Sequence, residues 1–317
     1  MKFGFVFPGQ GSQHVGMLAE FASQYPIVSK TFTEASEILG FDLWEICTNG
    51  PEEKLNQTEI TQPALLAASV AIWRIWQAQK APQPAMLAGH SLGEYSALVC
   101  AGALQFTDAV QIVYQRGQFM QAAVPTGTGL MAAIIGLTDR DVIEVCKQAS
   151  SLDEIVSAAN FNSPAQIVIA GHTAAVQRAC ELTKQKGAKR ALVLAVSAPS
   201  HCALMQTAAE KLTPILQAIK ITPPHIPVIN NVAVNITSDP QQIRNALIAQ
   251  LTQPVRWVEI IQKMQQDGCV AIGECGAGKV LTGLNKRIVE NVNCFSINNP
   301  EQLKEAEEFV GARCARP

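Results

Sequence analysis

Gly89-His90-Ser91-Leu92-Gly93 sets a serine midway between two glycines, the spacing that presents a nucleophile on a tight turn. Just before it, Ala85-Met86-Leu87-Ala88 is a short apolar run that reads as a buried strand. After it, Glu94 to Leu104 is rich in Ala and Leu and reads as a helix. A strand that turns straight into a helix at a serine leaves no room for side chains at the flanking positions. The turn lifts Oγ clear of the sheet and aims free N–H groups at the carbonyl under attack. An ordinary turn with a capping serine is the plainer reading. The strand and helix on either side favour the nucleophile.

Such a serine needs a base, and the chain offers five histidines. His90 precedes Ser91 on the strand, so its side chain is expected on the opposite face. His172 opens a helix, His225 sits among Pro223, Pro224 and Pro227, and His14 follows a glycine-rich loop. His201, in Pro199-Ser200-His201-Cys202, stands where two parts of the chain meet, and ligand sites favour clefts between domains. Spacing alone leaves the choice open.

The elements that must hold these residues are legible from the pattern. Phe3–Phe7 reads as a first buried strand, followed by the loop Pro8-Gly9-Gln10-Gly11-Ser12-Gln13. Thr61 caps a helix over Ala64–Gln79 with Pro63 in its first turn, and a further helix covers Thr107–Ala122. After a break at Pro125 the rhythm changes. Strands at Leu130–Leu137, Ile155–Phe161, Gln166–Ala170 and Arg190–Val196 alternate with helices at Thr138–Ala149 and His172–Lys186. Asn162-Ser163-Pro164 is the turn between the middle two strands. That order is βαββαβ, the split or ferredoxin-like arrangement. It is expected to form an inserted subdomain over 125–198, with 1–124 and 199–317 as a parent domain in two segments.

Beyond it, helices are expected at His201–Ala218, Pro240–Leu251, Val258–Gln266 and Lys279–Asn285. Strands are expected at Pro227–Asn230, Cys269–Ile272 and Val292–Ile297. The parent is therefore α/β, an open and mainly parallel sheet flanked by helices.

Composition narrows the class. With 317 residues, 48% apolar and 16% charged, the chain can bury a large core and is no disordered segment. A net charge of −2 gives no global pull toward nucleic acid or a membrane surface. No apolar run reaches membrane-spanning length, and the N-terminal run is too short for a signal peptide. The nine scattered cysteines form no Cys-x-x-Cys pair, so neither a disulfide framework nor a zinc site is expected. A reducing cytoplasm fits them, and a monomer is expected.

Two motifs invite other chemistry. Gly273-x-x-x-x-Gly278-Lys279 matches a phosphate-binding loop until Val280 replaces the Ser or Thr that would hold Mg²⁺. It reads as a plain strand–turn–helix. The basic pairs Lys189-Arg190 and Lys286-Arg287 either solubilise the surface or meet phosphates or the acidic face of a partner.

Seven stretches spread from end to end carry a family likeness. They are Phe7-Pro8-Gly9-Gln10-Gly11-Ser12-Gln13, Thr61-Gln62-Pro63-Ala64, Gly89-His90-Ser91-Leu92-Gly93-Glu94 and Gln115-Arg116-Gly117. The rest are Ala159-Asn160-Phe161-Asn162, Pro199-Ser200-His201 and Gly276-Ala277-Gly278-Lys279-Val280-Leu281. With them the chain resembles the malonyl-CoA:acyl carrier protein transacylases of bacterial fatty acid synthesis. The resemblance implies an α/β-hydrolase-like large domain with a ferredoxin-like small one. It implies Ser91 as the acylated nucleophile and His201 as its base. It puts the oxyanion hole at the backbone N–H groups of Gln10 and Leu92, and a malonyl-carboxylate clamp at Arg116. The backbone carbonyl of Gln250 would orient His201 where hydrolases use an Asp. Asn160 and His90 would line the site.

Malonyl-CoA and acyl carrier protein are the implied partners, and no metal or redox cofactor is expected. A free-standing polyketide acyltransferase would share the chemistry with another carrier. A serine esterase or thioesterase would pass the acyl group to water. A silent carrier-binding module would form no acyl-serine at all.

Overall fold

A computed structural model describes residues 2–125, 127–194 and 198–314. The chain opens with β1 (Phe3–Phe7) and four short to medium helices, α1 (Ala19–Gln24), α2 (Pro26–Leu39), α3 (Leu43–Asn49) and α4 (Glu52–Leu55). Then come α5 (Thr58–Ala78), β2 (Met86–Gly89), α6 (Gly93–Cys100) and α7 (Phe106–Ala122). The middle segment holds β3 (Gly129–Ile135), α8 (Asp139–Ala149), β4 (Val156–Ser163), β5 (Gln166–His172), α9 (Thr173–Gln185) and β6 (Arg190–Val193). The return runs through α10 (Gln206–Ala218), β7 (Val228–Ile229), α11 (Pro240–Ala249), α12 (Trp257–Gln266) and β8 (Ala271–Cys275). It closes with α13 (Val280–Ile288), β9 (Asn293–Ile297) and α14 (Pro300–Cys314).

The larger sheet has the order β7-β2-β1-β8-β9, and every pairing in it is parallel. Helices cover both faces of such a sheet, so its central strand is apolar throughout rather than alternating. All five residues of β1 are buried, and Phe5 packs edge-on against Trp76 of α5 at 4.9 Å. Chain order reverses beside β1, where β2 lies on one side and β8 on the other. Ligands gather at the carboxyl ends of strands at such a switch point. There the loop after β1 meets the turn after β2, with the His90 N–H donating to the Phe7 carbonyl (3.0 Å).

The middle segment forms a second sheet, β4-β5-β3-β6, antiparallel in each pairing. Its apolar face packs beneath α8 and α9 through Ile134, Val142, Ile167 and Val176, a core of its own. Val255 bridges the two parts by lying alongside β4, taking the Phe161 N–H and giving its own N–H to Ala159. The overall architecture is thus mixed α/β, a parallel sheet with an antiparallel companion.

Several elements differ from the pattern-based expectation. The helix with Pro63 starts at Thr58, so the proline lies in its second turn and gives no N–H to the Glu59 carbonyl. Packing against α7 holds that extra turn. The expected turn at Asn162-Ser163 is the end of β4, with the reversal at Pro164-Ala165. His201 is not helical; it sits at φ 59°, ahead of a 3₁₀ turn at Ala203–Met205. α14 had no strong apolar period and was not expected from the pattern. The strand expected over Arg190–Val196 is seen to Val193, and its residues 195 and 196 lie outside the described residues.

Eight of the nine cysteines are free and buried, and among the described residues no helix is long and apolar enough to cross a membrane. The contact of α7 with α5 sets where Arg116 falls. A Cβ on Gly117 would stand 2.5 Å from Glu59 Cα, and backbone has no easy way to yield. Gly117→Ala is therefore expected to destabilise the fold by about 1–3 kcal/mol, as overpacking does. Urea denaturation checks it; an unchanged midpoint would show that the two helices can separate freely.

Candidate active site

Ser91 sits where β2 becomes α6, at φ 53°, in the left-handed region that costs a non-glycine residue about 1–3 kcal/mol. Local bonds hold it there. The Asn231 side-chain oxygen takes the Ser91 N–H (2.7 Å), and Asn231 Nδ2 donates to the Gly89 carbonyl (2.6 Å). Gln250 Nε2 donates to the Ser91 carbonyl (3.0 Å). The glycines are required by contact. A Cβ on Gly93 would lie 2.1 Å from the Phe7 carbonyl oxygen, where the turn presses against β1.

Of the five histidines, His201 is the one whose ring reaches Ser91. Its Nε2 lies 2.7 Å from Ser91 Oγ and its Nδ1 2.7 Å from the Gln250 carbonyl oxygen. A carbonyl only accepts, so Nδ1 carries the hydrogen and Nε2 is left free to take the serine proton. No carboxylate is needed for that tautomer. Burial first and Arg116 second lower the His201 pKa to about 3, with the Gln250 carbonyl offsetting part of their effect. The imidazole therefore rests neutral.

Arg116 enters from α7 and is buried. Nη1 donates to Gln62 Oε1 (2.7 Å), while Nη2 donates to Gln250 Oε1 (3.0 Å) and Ser91 Oγ (3.3 Å). All three acceptors are neutral. Nε is buried and donates to no acceptor among the described residues. The guanidinium thus stands against the nucleophile with an unused donor and no directly bonded counter-ion.

The cavity above Ser91 measures about 160 Å³ and is lined by Gln10, His90, Leu92 and Asn160, with Met131 and Leu194 among its apolar walls. Asn160 is buried on β4. Among the described residues the N–H groups of Gln10 and Leu92 have no hydrogen-bond acceptor. His90 lines the cavity without reaching Ser91 Oγ. Its Nε2 pairs with Asn162 Oδ1 (2.8 Å) and its ring packs against Trp257 (5.4 Å).

The other histidines lie elsewhere. His172 Nδ1 takes the Ile155 N–H (3.0 Å) in the small sheet, and His225 packs over Gly102. His14 lines a separate hollow beside Gly278. The phosphate-loop look-alike is closed by its own carboxylate. Glu274 accepts the N–H groups of Leu281 (3.1 Å) and Thr282 (2.7 Å) at the start of α13, where a phosphate would have to sit.

Sequence reasoning missed Asn231 and the roles of Asn162, Glu94 and Gln62. Glu94 and Gln62 stand inside the singled-out stretches; Asn231 follows a two-residue strand and looks like a turn.

With this geometry in view, comparison with known proteins is decisive. Residues 4–290 match the acyl transferase domain family. The chain belongs to that family. A malonyl CoA-acyl carrier protein transacylase from Haemophilus influenzae is 58% identical over 98% of this chain and 99% of its own length. An acyl carrier protein S-malonyltransferase from Vibrio cholerae superposes with a TM-score of 0.94, at 56% identity, covering 96% of this chain and all of that one. A malonyl-transacylase solved in complex with a type II PKS acyl-carrier protein superposes with a TM-score of 0.95, at 52% identity, covering 98% of this chain and 100% of that one. The acyl transferase is an enzyme, and Ser91 and His201 are the pair its geometry offers for group transfer.

His201→Ala is expected to slow acylation of Ser91 by about 10²–10⁴-fold, the usual loss of a general base. His172→Ala should remain near wild type. The p-nitrophenol burst from p-nitrophenyl acetate reads both, and the reverse ranking would reject His201 as the base.

Proposed function

We propose that this acyl transferase moves malonyl from malonyl-CoA to the phosphopantetheine thiol of acyl carrier protein, supplying extender units for fatty acid synthesis. The observation that carries this reading is Arg116: a buried guanidinium with a spare donor, 3.3 Å from the nucleophile and bonded only to neutral groups. A malonyl group differs from acetyl chiefly by its carboxylate. Buried without a partner, that carboxylate would be costly; against Arg116 it gains charge-assisted bonds.

The steps balance in two halves. Ser91 Oγ attacks the thioester carbon as its proton passes to His201 Nε2. The oxyanion takes the Gln10 and Leu92 N–H groups. The C–S bond breaks, and coenzyme A leaves with the proton from His201. The carrier thiol then gives its proton to His201 and attacks the malonyl-serine; the C–O bond breaks, and Ser91 leaves with the proton from His201. No metal or redox cofactor enters this route; the pantetheine arms arrive with the substrates.

We read the antiparallel unit, residues 125–198, as a ferredoxin-like subdomain inserted in an α/β-hydrolase-like domain of 1–124 and 199–317. Its βαββαβ order and β4-β5-β3-β6 sheet support that description. We assign the basic pairs to docking of coenzyme A phosphates or the acidic carrier. Ile135 pairs with both Gln166 and Arg190, and Arg287 Nη1 donates to Gln166 Oε1 (3.0 Å). Lys189-Arg190 and Lys286-Arg287 therefore meet at one end of the small sheet, all four exposed. The relatives are named for malonyl transfer to acyl carrier protein, and one solved neighbour is held in complex with a type II PKS acyl-carrier protein.

Malonyl-CoA should leave a malonyl ester on Ser91, visible by mass spectrometry, removed by a pantetheine thiol and absent in Ser91→Ala. Adduct elsewhere would reject the nucleophile.

Arg116→Ala should lower the malonyl-to-acetyl ratio of kcat/KM by about ten- to a hundredfold, the worth of one charge-assisted hydrogen bond. Arg116→Lys should restore only part, having the charge but not the fork. An unchanged ratio in Arg116→Ala would remove the argument for malonyl.

A further inference from the structure

The buried carboxylate of Glu94 has no role in the chemistry above, yet it touches what holds every part of it. Glu94 lies in the first turn of α6, 2% exposed. Its Oε2 accepts two donors: the side-chain amide of Gln250 (2.7 Å) and the backbone N–H of Asn231 (3.0 Å). From those two residues the contacts fan out. Gln250 gives its backbone carbonyl to His201, its side-chain oxygen to Arg116, and its side-chain N–H to the Ser91 carbonyl. Asn231 takes the Ser91 N–H.

We propose that Glu94 is a positioning residue for the acyl-transfer site, fixing nucleophile, base and carboxylate clamp together through Gln250 and Asn231. The proposal rests on the acyl-serine reading and asks more of it. An ionised carboxylate is acceptor-only, so it can fix the flip of the Gln250 amide. With Nε2 held by Glu94, the amide oxygen must face Arg116. The negative charge thereby reaches the guanidinium through one neutral amide. A direct ion pair would spend the fork that the substrate needs; an amide between them leaves it open.

The same geometry gives a pH signature. Two charged or titratable groups face Glu94, Arg116 from α7 and Tyr95 from its own helix; Gln250 and Asn231 are neutral. Burial raises the Glu94 pKa to about 7, against the pull of Gln250, Asn231 and Arg116. As pH falls through that value the carboxylate takes a proton, and its two hydrogen bonds lose their charge assistance. His201, held near 3, does not titrate there. Ser91 acylation should therefore weaken on the acid side of about pH 7 because of Glu94.

The test follows Ser91 acylation by p-nitrophenyl acetate, a neutral ester independent of the malonyl assignment, from about pH 5.5 to about pH 8.5. The wild type is expected to lose rate below about pH 7. Glu94→Gln, an isostere, should be about ten- to a hundredfold slower at pH 8 and lack that limb. Glu94→Asp should recover part of the rate and restore a limb. Kinetics with malonyl-CoA should show the Glu94→Gln loss in kcat rather than KM. A limb that persists in Glu94→Gln belongs to His201 and overturns the proposal, as does a wild-type rate in that variant. If Glu94→Gln fails to fold, the wild-type profile decides: a flat profile rejects the role. Failure of malonyl-CoA to label wild-type Ser91 would strike the proposed substrate instead, and leaves these outcomes readable with the ester.

Discussion

A guanidinium buried beside a nucleophile with only neutral oxygens around it is the constraint that organises this protein. Taking such an ion out of water costs several kcal/mol, and dipoles repay only part of that. Gln62 and Gln250 bring two amide oxygens to Arg116, and Glu94 stands one amide further back. Each comes from a different part of the chain: α5, the end of α11 and the start of α6. The fold must bring all of them to one point. The parallel sheet does so by ending β1 and β2 side by side, with α5 and α7 packed closely enough for Gln62 to reach the arginine.

Charge also explains why no Asp or Glu orients His201. A carboxylate in that place would put a buried negative charge in the field of Arg116, which already acts on His201. A backbone carbonyl fixes the tautomer with a dipole instead and leaves the guanidinium free. The depressed basicity of His201 follows from the same choice, since burial and the neighbouring cation both oppose a second positive charge. A bound carboxylate on Arg116 would cancel the second of these effects. Substrate and base are thus coupled through the arginine.

The elements that carry chemistry were largely legible because their constraints are local. The turn at Ser91 needs glycine at 89 and 93, β1 needs an unbroken apolar run, and Thr138 caps α8 through the Asp141 N–H (3.2 Å). What was hidden is held by distant partners. Asn231 lies 140 residues from the Ser91 N–H it accepts, and nothing near it in sequence marks the role. The placement of His201 outside a helix is likewise tertiary. Its left-handed backbone is sustained by two side-chain bonds to Ser91 and Gln250, neither visible in the surrounding residues. The family likeness implied the two His201 pairings where periodicity could not, but not that of Asn231. Among apparent motifs, the loop before α13 shows how a pattern misleads: Glu274 caps the helix that a phosphate would need.

Because the His201 partner is a main-chain oxygen, that contact has no codon of its own. Any residue at position 250 would present a carbonyl, so genetic variation at that position reaches only the side-chain half of its work. The oxygen moves only if the end of α11 moves. That helix is seated on the end of α10 by Arg244, whose Nε and Nη2 donate to the carbonyls of Leu216 (3.0 Å) and Ile219 (2.9 Å). The heritable control of the imidazole is thereby shifted away from the reacting atoms, to an arginine that meets neither substrate nor serine.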